Sequence, residues 1–190
     1  CHLQKDPSNA IRNALRKIGE DQGLSFFDVK EGHGYLRQIM LRITNENQIM
    51  LIVTFYYEDE KLRKAYLDEV LTQFPEITSL QYCINPKEND FILDLKIHTY
   101  HGKGYVEEKL GAVKFKIGPK SFFQTNTSQA VQLFDTVAKF AELKGTENVY
   151  DLYTGIGSIA LYIAQFCKQV VGIEEVASAI EDAKENSELN

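Results

Sequence analysis

Hydrophobic and polar residues alternate with a period of two along much of the first half of the chain, as they do in β-strands. This pattern predicts strands at residues 25–30, 35–44, 49–57, 79–85 and 91–100. Helical spacing of apolar residues precedes and interrupts the strands, at residues 8–20 and 60–74. The first half therefore predicts an α+β domain built on an antiparallel sheet.

The second half changes, from about Lys114, to helices that alternate with short apolar strands. Asn126 is the predicted cap of the first helix, because Gln129 follows three residues later as its capping partner. The next elements are strands at 148–152 and 169–174 and helices at 158–166 and 176–189. Such alternation is typical of a parallel α/β sheet, and it predicts domains of residues 1–112 and 113–190.

Only two strands of this parallel kind are predicted before the last residue, Asn190. A doubly wound nucleotide-binding sheet usually has about five strands or more. We therefore expect residues 113–190 to be the first part of a larger, truncated domain.

Composition narrows the kinds of protein that the chain can be. Apolar residues make up 44% and charged residues 25%, which is ordinary for a folded globular protein. No apolar run approaches the roughly 20 residues that span a bilayer, and the first residues lack a signal-peptide pattern. We therefore expect a cytoplasmic protein with no membrane partner, and no pattern indicates a protein partner.

The net charge of −6 argues against a general nucleic-acid binder, whose surface is usually basic. Any contact with RNA must then come from a local basic patch. One such patch interleaves lysines with aromatic residues: Lys109, Lys114, Lys116 and Lys120 with Phe115, Phe122 and Phe123. Lysines beside aromatic rings suit single-stranded RNA, although a solvated edge strand has the same composition.

The most informative segment is a glycine-rich turn between a predicted strand and a predicted helix, Asp151-Leu152-Tyr153-Thr154-Gly155-Ile156-Gly157. Glycine allows positive φ and close approach of the backbone to a ligand, while the following helix directs free N–H groups toward it. Glu174 lies 19 residues after Gly155, at the end of the next strand. In a parallel sheet that strand end adjoins the glycine loop, so its carboxylate can accept hydrogen bonds from ribose hydroxyls.

The glycine loop also fits the dinucleotide fingerprint G-x-G-x-x-A, since Gly155, Gly157 and Ala160 have that spacing. Asp151, four residues before the first glycine, favours a different ligand. A carboxylate there repels a pyrophosphate, whereas it attracts the sulfonium and ammonium groups of S-adenosylmethionine. The residues favour an S-adenosylmethionine site and leave an NAD(P)-dependent oxidoreductase as the alternative.

Three segments, in order, resemble the RNA uracil-5 (5-methyluridine) methyltransferases of the RumA and TrmA class. They are residues 121–126 (Ser-Phe-Phe-Gln-Thr-Asn), 151–157 and 171–174 (Val-Gly-Ile-Glu). The last helix, with Asn186 and Asn190, is similar to the same family. The resemblance implies an α+β central domain followed by a class I, Rossmann-like methyltransferase domain that uses S-adenosylmethionine.

The resemblance also implies cofactor-binding roles. Gln124 would reach the methionine end of S-adenosylmethionine, Tyr153 would line its pocket and Glu174 would hold the ribose. Alternatively, Gln124 satisfies backbone groups at the helix start and Tyr153 packs in the core. The complete predicted cofactor site is Gln124, Asp151, Tyr153, Gly155, Gly157 and Glu174.

The resemblance assigns no catalytic residue in this chain. In the family, a cysteine thiolate adds to carbon 6 of uracil, carbon 5 takes the methyl group, and a carboxylate removes the carbon 5 proton. Cys83 and Cys167 match neither catalytic segment and are predicted to be buried or inert. Cys1 resembles the last of four cysteines that hold an iron–sulfur cluster in the ribosomal-RNA branch, and it is equally explained as a first residue of no consequence.

The sequence therefore predicts part of an enzyme that transfers a methyl group from S-adenosylmethionine to carbon 5 of a uridine in ribosomal RNA. The resemblance at Cys1 favours 23S rRNA over transfer RNA. The chain by itself is expected to be inactive. A non-catalytic RNA-binding module is the alternative outside the enzymes.

Overall fold

The computed structural model describes residues 4–190, which form two compact units. The first unit extends to Val106 and the second comprises Glu107–Asn190. This division falls inside a strand, a few residues before the boundary between residues 112 and 113 that the sequence pattern predicts. Cys1, the predicted cluster ligand, lies outside the described residues.

The first unit contains a four-stranded sheet and two helices. Its elements are α1 (Ser8–Asp21), β1 (Leu36–Ile43), β2 (Ile49–Phe55), α2 (Glu60–Gln73), β3 (Ser79–Ile84) and β4 (His98–Gly102). The strands lie in chain order across the sheet; β1–β2 and β3–β4 are antiparallel, and β2–β3 is parallel. The prediction of an antiparallel sheet is wrong for this central pair, because α2 is a crossover that returns the chain in the same direction.

The two helices share one hydrophobic core with the sheet. Every residue of β2 is buried, as expected for a central strand. Ile11, Leu15 and Ile18 have helical spacing and line the buried side of α1. The Tyr66 hydroxyl of α2 donates to the Leu15 carbonyl oxygen at 2.9 Å, which joins the two helices inside the core.

Two predicted strands of this unit are absent or shortened. Residues 25–30 form isolated bridges only, because the Asp28 carboxylate accepts the N–H groups of Lys30 and Glu31 and turns the chain. The strand predicted at residues 91–100 begins only at His98. Before it, Asn89 bonds the Phe91 N–H, which favours a turn over an extended strand.

The second unit contains two separate strand pairs and three helices. Its elements are β5 (Val106–Leu110), β6 (Val113–Ile117), α3 (Thr127–Phe140), β7 (Asn148–Leu152), α4 (Ser158–Ile163), a single turn of 3₁₀ helix (Ala164–Phe166), β8 (Gln169–Ile173) and α5 (Ala177–Leu189). β5 pairs with β6, and β7 pairs in parallel with β8. The predicted alternation of helices and parallel strands is confirmed, as is the cap of α3, where Asn126 accepts the Gln129 N–H at 3.1 Å.

The β5–β6 pair is not among the predicted elements, although a solvated edge strand is the alternative given for the lysines at residues 109–120. In β6, Val113, Phe115 and Ile117 are buried and the lysines between them are not, which is the two-residue period of a strand. The predicted basic patch therefore exposes fewer aromatic rings than its sequence indicates. Phe115 and Phe123 are buried with ring centroids 5.4 Å apart, so of the three aromatic residues in the patch only Phe122 is exposed.

Within residues 4–190, no helix is long and apolar enough to cross a membrane.

Candidate functional site

The glycine loop connects the end of β7 to the start of α4, as the sequence predicts. Gly155 and Gly157 have positive φ angles of 57° and 85°, and Gly157 is the residue before the first turn of α4. Tyr153 also has a positive φ, 64°, which is uncommon for a residue with a side chain. Tyr153 is 86% exposed, so the alternative that it packs in the core is wrong.

Asp151 joins the glycine loop to the first turn of α4. Its Oδ2 accepts hydrogen bonds from the Thr154 hydroxyl at 2.7 Å and from the Ala160 backbone N–H at 3.1 Å. The N–H groups at a helix start lack partners within the helix and carry partial positive charge. A carboxylate of the chain therefore already takes one N–H of the helix start, the element that binds a phosphate in a dinucleotide fold.

Glu174 joins the end of β8 to the same loop. Its Oε2 accepts the Gly155 N–H at 2.9 Å, and its Oε1 accepts the N–H groups of Glu175 and Val176 at 2.9 and 3.0 Å. The N–H groups of Val176 and Gly155 stabilise the charged carboxylate most and lower the pKa of Glu174 below its ordinary value. Glu174 is therefore ionised at neutral pH and lies beside the glycine loop.

Gly172 allows β8 to approach the loop closely. The parallel register places Gly172 opposite Asp151, and the Thr154 N–H donates to the Ile173 carbonyl oxygen at 3.0 Å. A Cβ on Gly172 would lie 2.8 Å from the Thr154 Cγ2, closer than real Cβ contacts. A side chain there would displace Thr154, the partner of the Asp151 carboxylate.

Asn186 of α5 links the glycine loop to β6. Its fully buried side chain accepts the Lys116 N–H at 2.7 Å and donates to the Lys116 carbonyl oxygen at 3.2 Å. It also donates to the Ile156 carbonyl oxygen, within the loop, at 3.3 Å. One amide thus satisfies backbone groups of two segments that are distant in the chain.

Two further side chains, Asp182 of α5 and Asn190 at its end, each lie one helical turn from Asn186 and bind groups between residues 114 and 121. Asn190 accepts the Lys114 N–H and donates to the Lys114 carbonyl oxygen, both at 2.8 Å. Asp182 accepts the Ser121 hydroxyl at 2.7 Å. Sequence reasoning noted the asparagines only through the family resemblance and missed Asp182, because no local pattern indicates partners 61 to 76 residues away.

Gln124 lies half-buried in the connection between β6 and α3. Ser121 anchors this connection, since its hydroxyl accepts the Gly118 N–H at 2.9 Å and donates to Asp182. The cap of α3 is Asn126, so the alternative role of Gln124 as the helix-entry residue is filled by a neighbour. Its role toward a cofactor stays a prediction.

Among residues 4–190, no group of three or more His, Cys, Asp and Glu side chains is placed to hold a metal ion. Cys83 is buried in β3, with its Sγ 3.4 Å from the Thr54 hydroxyl. Cys167 follows the single 3₁₀ turn after α4. The described thiols therefore do not fit an iron–sulfur cluster.

Sequence comparison identifies relatives along the whole chain, although no protein-family model matches it. A Porphyromonas gingivalis protein named an uncharacterized RNA methyltransferase is 46% identical over 192 residues, which cover 100% of this chain and 41% of that protein. A Bacteroides thetaiotaomicron protein of the same name is 45% identical, covering 100% of this chain and 42% of that protein. The chain thus spans about two fifths of the length of these curated relatives.

Solved structures show the same fold. The Pyrococcus abyssi tRNA (uracil-54, C5)-methyltransferase, in complex with S-adenosyl-L-homocysteine, matches with a TM-score of 0.72 and 28% identity, covering 93% of this chain and 42% of that chain. The M. jannaschii tRNA m1G37 methyltransferase matches with a TM-score of 0.53 and 15% identity, covering 94% and 48%. The chain therefore has the mixed α/β, Rossmann-like fold of class I S-adenosylmethionine-dependent methyltransferases, as the sequence predicts.

Proposed function

We propose that this chain supplies part of the S-adenosylmethionine pocket of an RNA methyltransferase that acts on carbon 5 of a uridine. The observation that supports the proposal most directly is the pair of carboxylates that flanks the glycine loop. Asp151 bonds the first turn of α4, and Glu174 bonds the Gly155 N–H from the neighbouring strand. Two negative charges therefore border a turn that holds a phosphate in dinucleotide folds.

A cationic cofactor suits this electrostatic environment better than a dinucleotide does. S-adenosylmethionine carries a sulfonium and an ammonium group, which two nearby carboxylates attract, whereas they repel the pyrophosphate of NAD. Asp151 offsets part of the positive charge at the start of α4, which makes an added phosphate less favourable there. This argument favours S-adenosylmethionine over the oxidoreductase alternative.

The residues of the proposed pocket have distinct roles. Glu174 binds the ribose hydroxyls, the exposed Tyr153 ring lines the pocket, and Gln124 binds the methionine end. Gly155 and Gly157 let the cofactor approach the backbone. Asp151 fixes the loop through Thr154 and adds negative charge beside the cationic groups. When bound, S-adenosylmethionine supplies the methyl group; these residues bind and orient it.

The relatives support the choice of substrate. The two bacterial proteins are named RNA methyltransferases, and the P. abyssi enzyme acts at carbon 5 of a uracil. For the complete protein we propose a uridine of ribosomal RNA, 23S rRNA, on the resemblance that includes Cys1. The P. abyssi enzyme acts on tRNA, so both RNA classes belong in the test.

Calorimetric titration of the chain with S-adenosylhomocysteine and with NAD tests the cofactor. We expect the chain to bind S-adenosylhomocysteine and not NAD. Asp151→Asn should weaken this binding, because the neutral amide loses the negative charge beside the cofactor and the strong hydrogen bond from the Ala160 N–H. Glu188→Gln removes an exposed charge from α5 and is the control. Binding of NAD without S-adenosylhomocysteine would reverse the assignment.

A chimera tests the substrate, because we expect the chain alone to bind the cofactor without transferring the methyl group. In the chimera this chain replaces the matching residues of the P. gingivalis relative, whose unmodified form is the control. The RNA carries tritium at carbon 5 of its uridines, and we expect tritium release with 23S rRNA. Methylation without release would exclude carbon 5, and release from tRNA alone would exclude ribosomal RNA.

A further inference from the structure

Glu108 is a buried acidic residue of strand β5 that has no role in the pocket described so far. Buried and more exposed residues alternate along this strand, and Glu108 takes one of the buried positions, between Val106 and Leu110. It is only 4% exposed. Burying a carboxylate is unfavourable unless hydrogen bonds compensate for the lost water. The groups that bond this carboxylate therefore show which parts of the chain it holds together.

Glu108 bonds the first residue of helix α3. Its Oε2 accepts the Thr127 hydroxyl at 3.1 Å, and its Oε1 accepts the Lys109 backbone N–H at 2.9 Å. Thr127 is buried as well, and a hydrogen bond to a carboxylate is stronger where water is excluded. This bond fixes the start of α3 to a strand residue 19 positions earlier in the chain.

Asp182 of α5 holds the other end of the connection between β6 and α3. Its Oδ2 accepts the Ser121 hydroxyl at 2.7 Å, and the same hydroxyl accepts the Gly118 N–H at 2.9 Å. Ser121 is buried, like Thr127 at the far end of the connection. Two acidic residues from different elements thus bond the two ends of one short segment, each through a buried hydroxyl group.

Gln124 lies midway between these two ends, three residues after Ser121 and three before Thr127. The residue before it, Phe123, is buried against Phe115 with ring centroids 5.4 Å apart, whereas Gln124 itself is half-buried. A segment bonded at both ends and packed between them has few backbone conformations. Gln124 is therefore ordered before any ligand arrives, which lowers the entropy cost of binding.

We propose that Glu108 and Asp182 are positioning residues, which hold Gln124 in place for the methionine end of S-adenosylmethionine. The inference rests on the proposed function, in which Gln124 binds that end. Both act through another residue, Glu108 through Thr127 and Asp182 through Ser121. When either bond is lost, the connection takes up other conformations and must be ordered on binding. The affinity then falls for ligands that carry the methionine end.

Two ligands separate positioning of Gln124 from general support of the fold. 5′-Methylthioadenosine has the adenosine and the sulfur of S-adenosylhomocysteine but lacks the amino acid end. Calorimetric titration with each ligand gives two affinities, and their ratio is the preference for the methionine end. We expect Gln124→Ala to weaken S-adenosylhomocysteine roughly tenfold and to change 5′-methylthioadenosine by less than about twofold.

Substitutions at the two bonded ends should have the same selective effect. Glu108→Gln removes the charge and Thr127→Val the hydroxyl of one pair, and Asp182→Ala removes the acceptor of Ser121. We expect each to weaken S-adenosylhomocysteine about three- to tenfold and 5′-methylthioadenosine by less than about twofold. Thr127→Ser keeps the hydroxyl and should retain the preference of the unmodified chain.

Matched controls alter the same two helices away from the connection. Thr136→Val removes a hydroxyl of α3 that bonds the Gln132 carbonyl oxygen at the surface. Glu188→Ala removes an exposed charge from α5. We expect both controls to keep the affinities for the two ligands within about twofold of the unmodified chain.

The pattern of affinities decides between the accounts. If Glu108→Gln, Thr127→Val and Asp182→Ala weaken both ligands equally, these residues support the fold only and the proposal is overturned. An unchanged preference in the three variants, or in Gln124→Ala, overturns it as well and leaves the cofactor assignment intact. A chain that binds neither ligand overturns the cofactor assignment itself. Thermal unfolding checks that each variant folds, and the half-buried position of Asp182 makes Asp182→Ala the mildest of the three.

Discussion

The Glu174 carboxylate accepts hydrogen bonds from three backbone N–H groups. In Glu174→Gln an NH₂ group replaces one acceptor oxygen and faces an N–H donor instead of bonding it. We expect roughly tenfold weaker binding of S-adenosylhomocysteine in calorimetry, because the ribose also loses a charged acceptor. Glu175→Gln, at the adjacent exposed residue, is the control. Equal affinities in the two variants would mean that Glu174 does not bind the ribose.

The lowered pKa of Glu174 also predicts a pH dependence of stability. Its contribution is complete above the ordinary value of 4.5 and is lost as the pH falls through the lower folded pKa. The difference in thermal stability between the chain and Glu174→Gln should therefore persist at neutral pH and shrink in acid. Glu147, whose pKa is lowered to about 2, chiefly by the Lys144 N–H, titrates in both proteins and cancels from the comparison. A difference that does not change between neutral and acid pH would contradict the prediction.

A substitution at Gly172 tests whether the close approach of β8 to the glycine loop contributes to stability. Gly172→Ala places a Cβ 2.8 Å from the Thr154 Cγ2, so we expect a loss of about 1–3 kcal/mol in the free energy of unfolding. Gly104→Ala is a matched control, because its Cβ meets only the Thr99 hydroxyl, at 3.4 Å. Urea unfolding measures both variants, and equal losses would show that the Thr154 contact is unimportant.

At the scale of elements, side-chain amides attach α5 to β6. Asn186→Ala leaves both backbone groups of Lys116 and the Ile156 carbonyl oxygen without this partner in a buried place. We expect a loss of about 2–3 kcal/mol in urea unfolding. Asn190→Ala removes the equivalent pairing at the exposed end of the helix, where water replaces it, and should cost less than about 1 kcal/mol. Equal costs at the two positions would contradict this account.

Helices were predicted more closely than strands in this protein. The bounds of α1 and α2 differ from the predicted ones by a residue, because apolar spacing and the Asp59 cap of α2 are local features. Residues 25–30 have the composition of a strand, but Asp28 bonds the backbone ahead of it and forms a turn. Alternating apolar residues do not reveal such competition between a side chain and the strand ladder.

At the scale of the whole molecule, the β7–β8 pair exposes apolar side chains on one face. Tyr150 lies opposite Val171 and Leu152 opposite Ile173, and all four are exposed. We expect the chain to bind a hydrophobic fluorescent dye, and Leu152→Thr/Ile173→Thr to reduce the dye signal without loss of thermal stability. Val29→Thr changes an isolated exposed residue of the first unit and should leave the signal unchanged. An unaltered signal in the double variant would contradict the prediction.

The sequence by itself determined the α/β class, the strand–glycine loop–helix segment and the placement of Glu174 beside Gly155. These features depend on the period of apolar residues, on glycine at positive φ and on the right-handed parallel connection that brings adjacent strand ends together. Each of these is set by residues close in the chain or by a rule of chain geometry.

Only the tertiary structure decided which distant groups meet. The parallel pairing of β2 with β3 and the bonds from Asn186 to residues 30 and 70 positions earlier join segments that are far apart in sequence. Such contacts depend on how whole elements pack and on which buried polar groups remain to be satisfied. Local sequence patterns do not carry that information, because one apolar or amide side chain fits many possible partners.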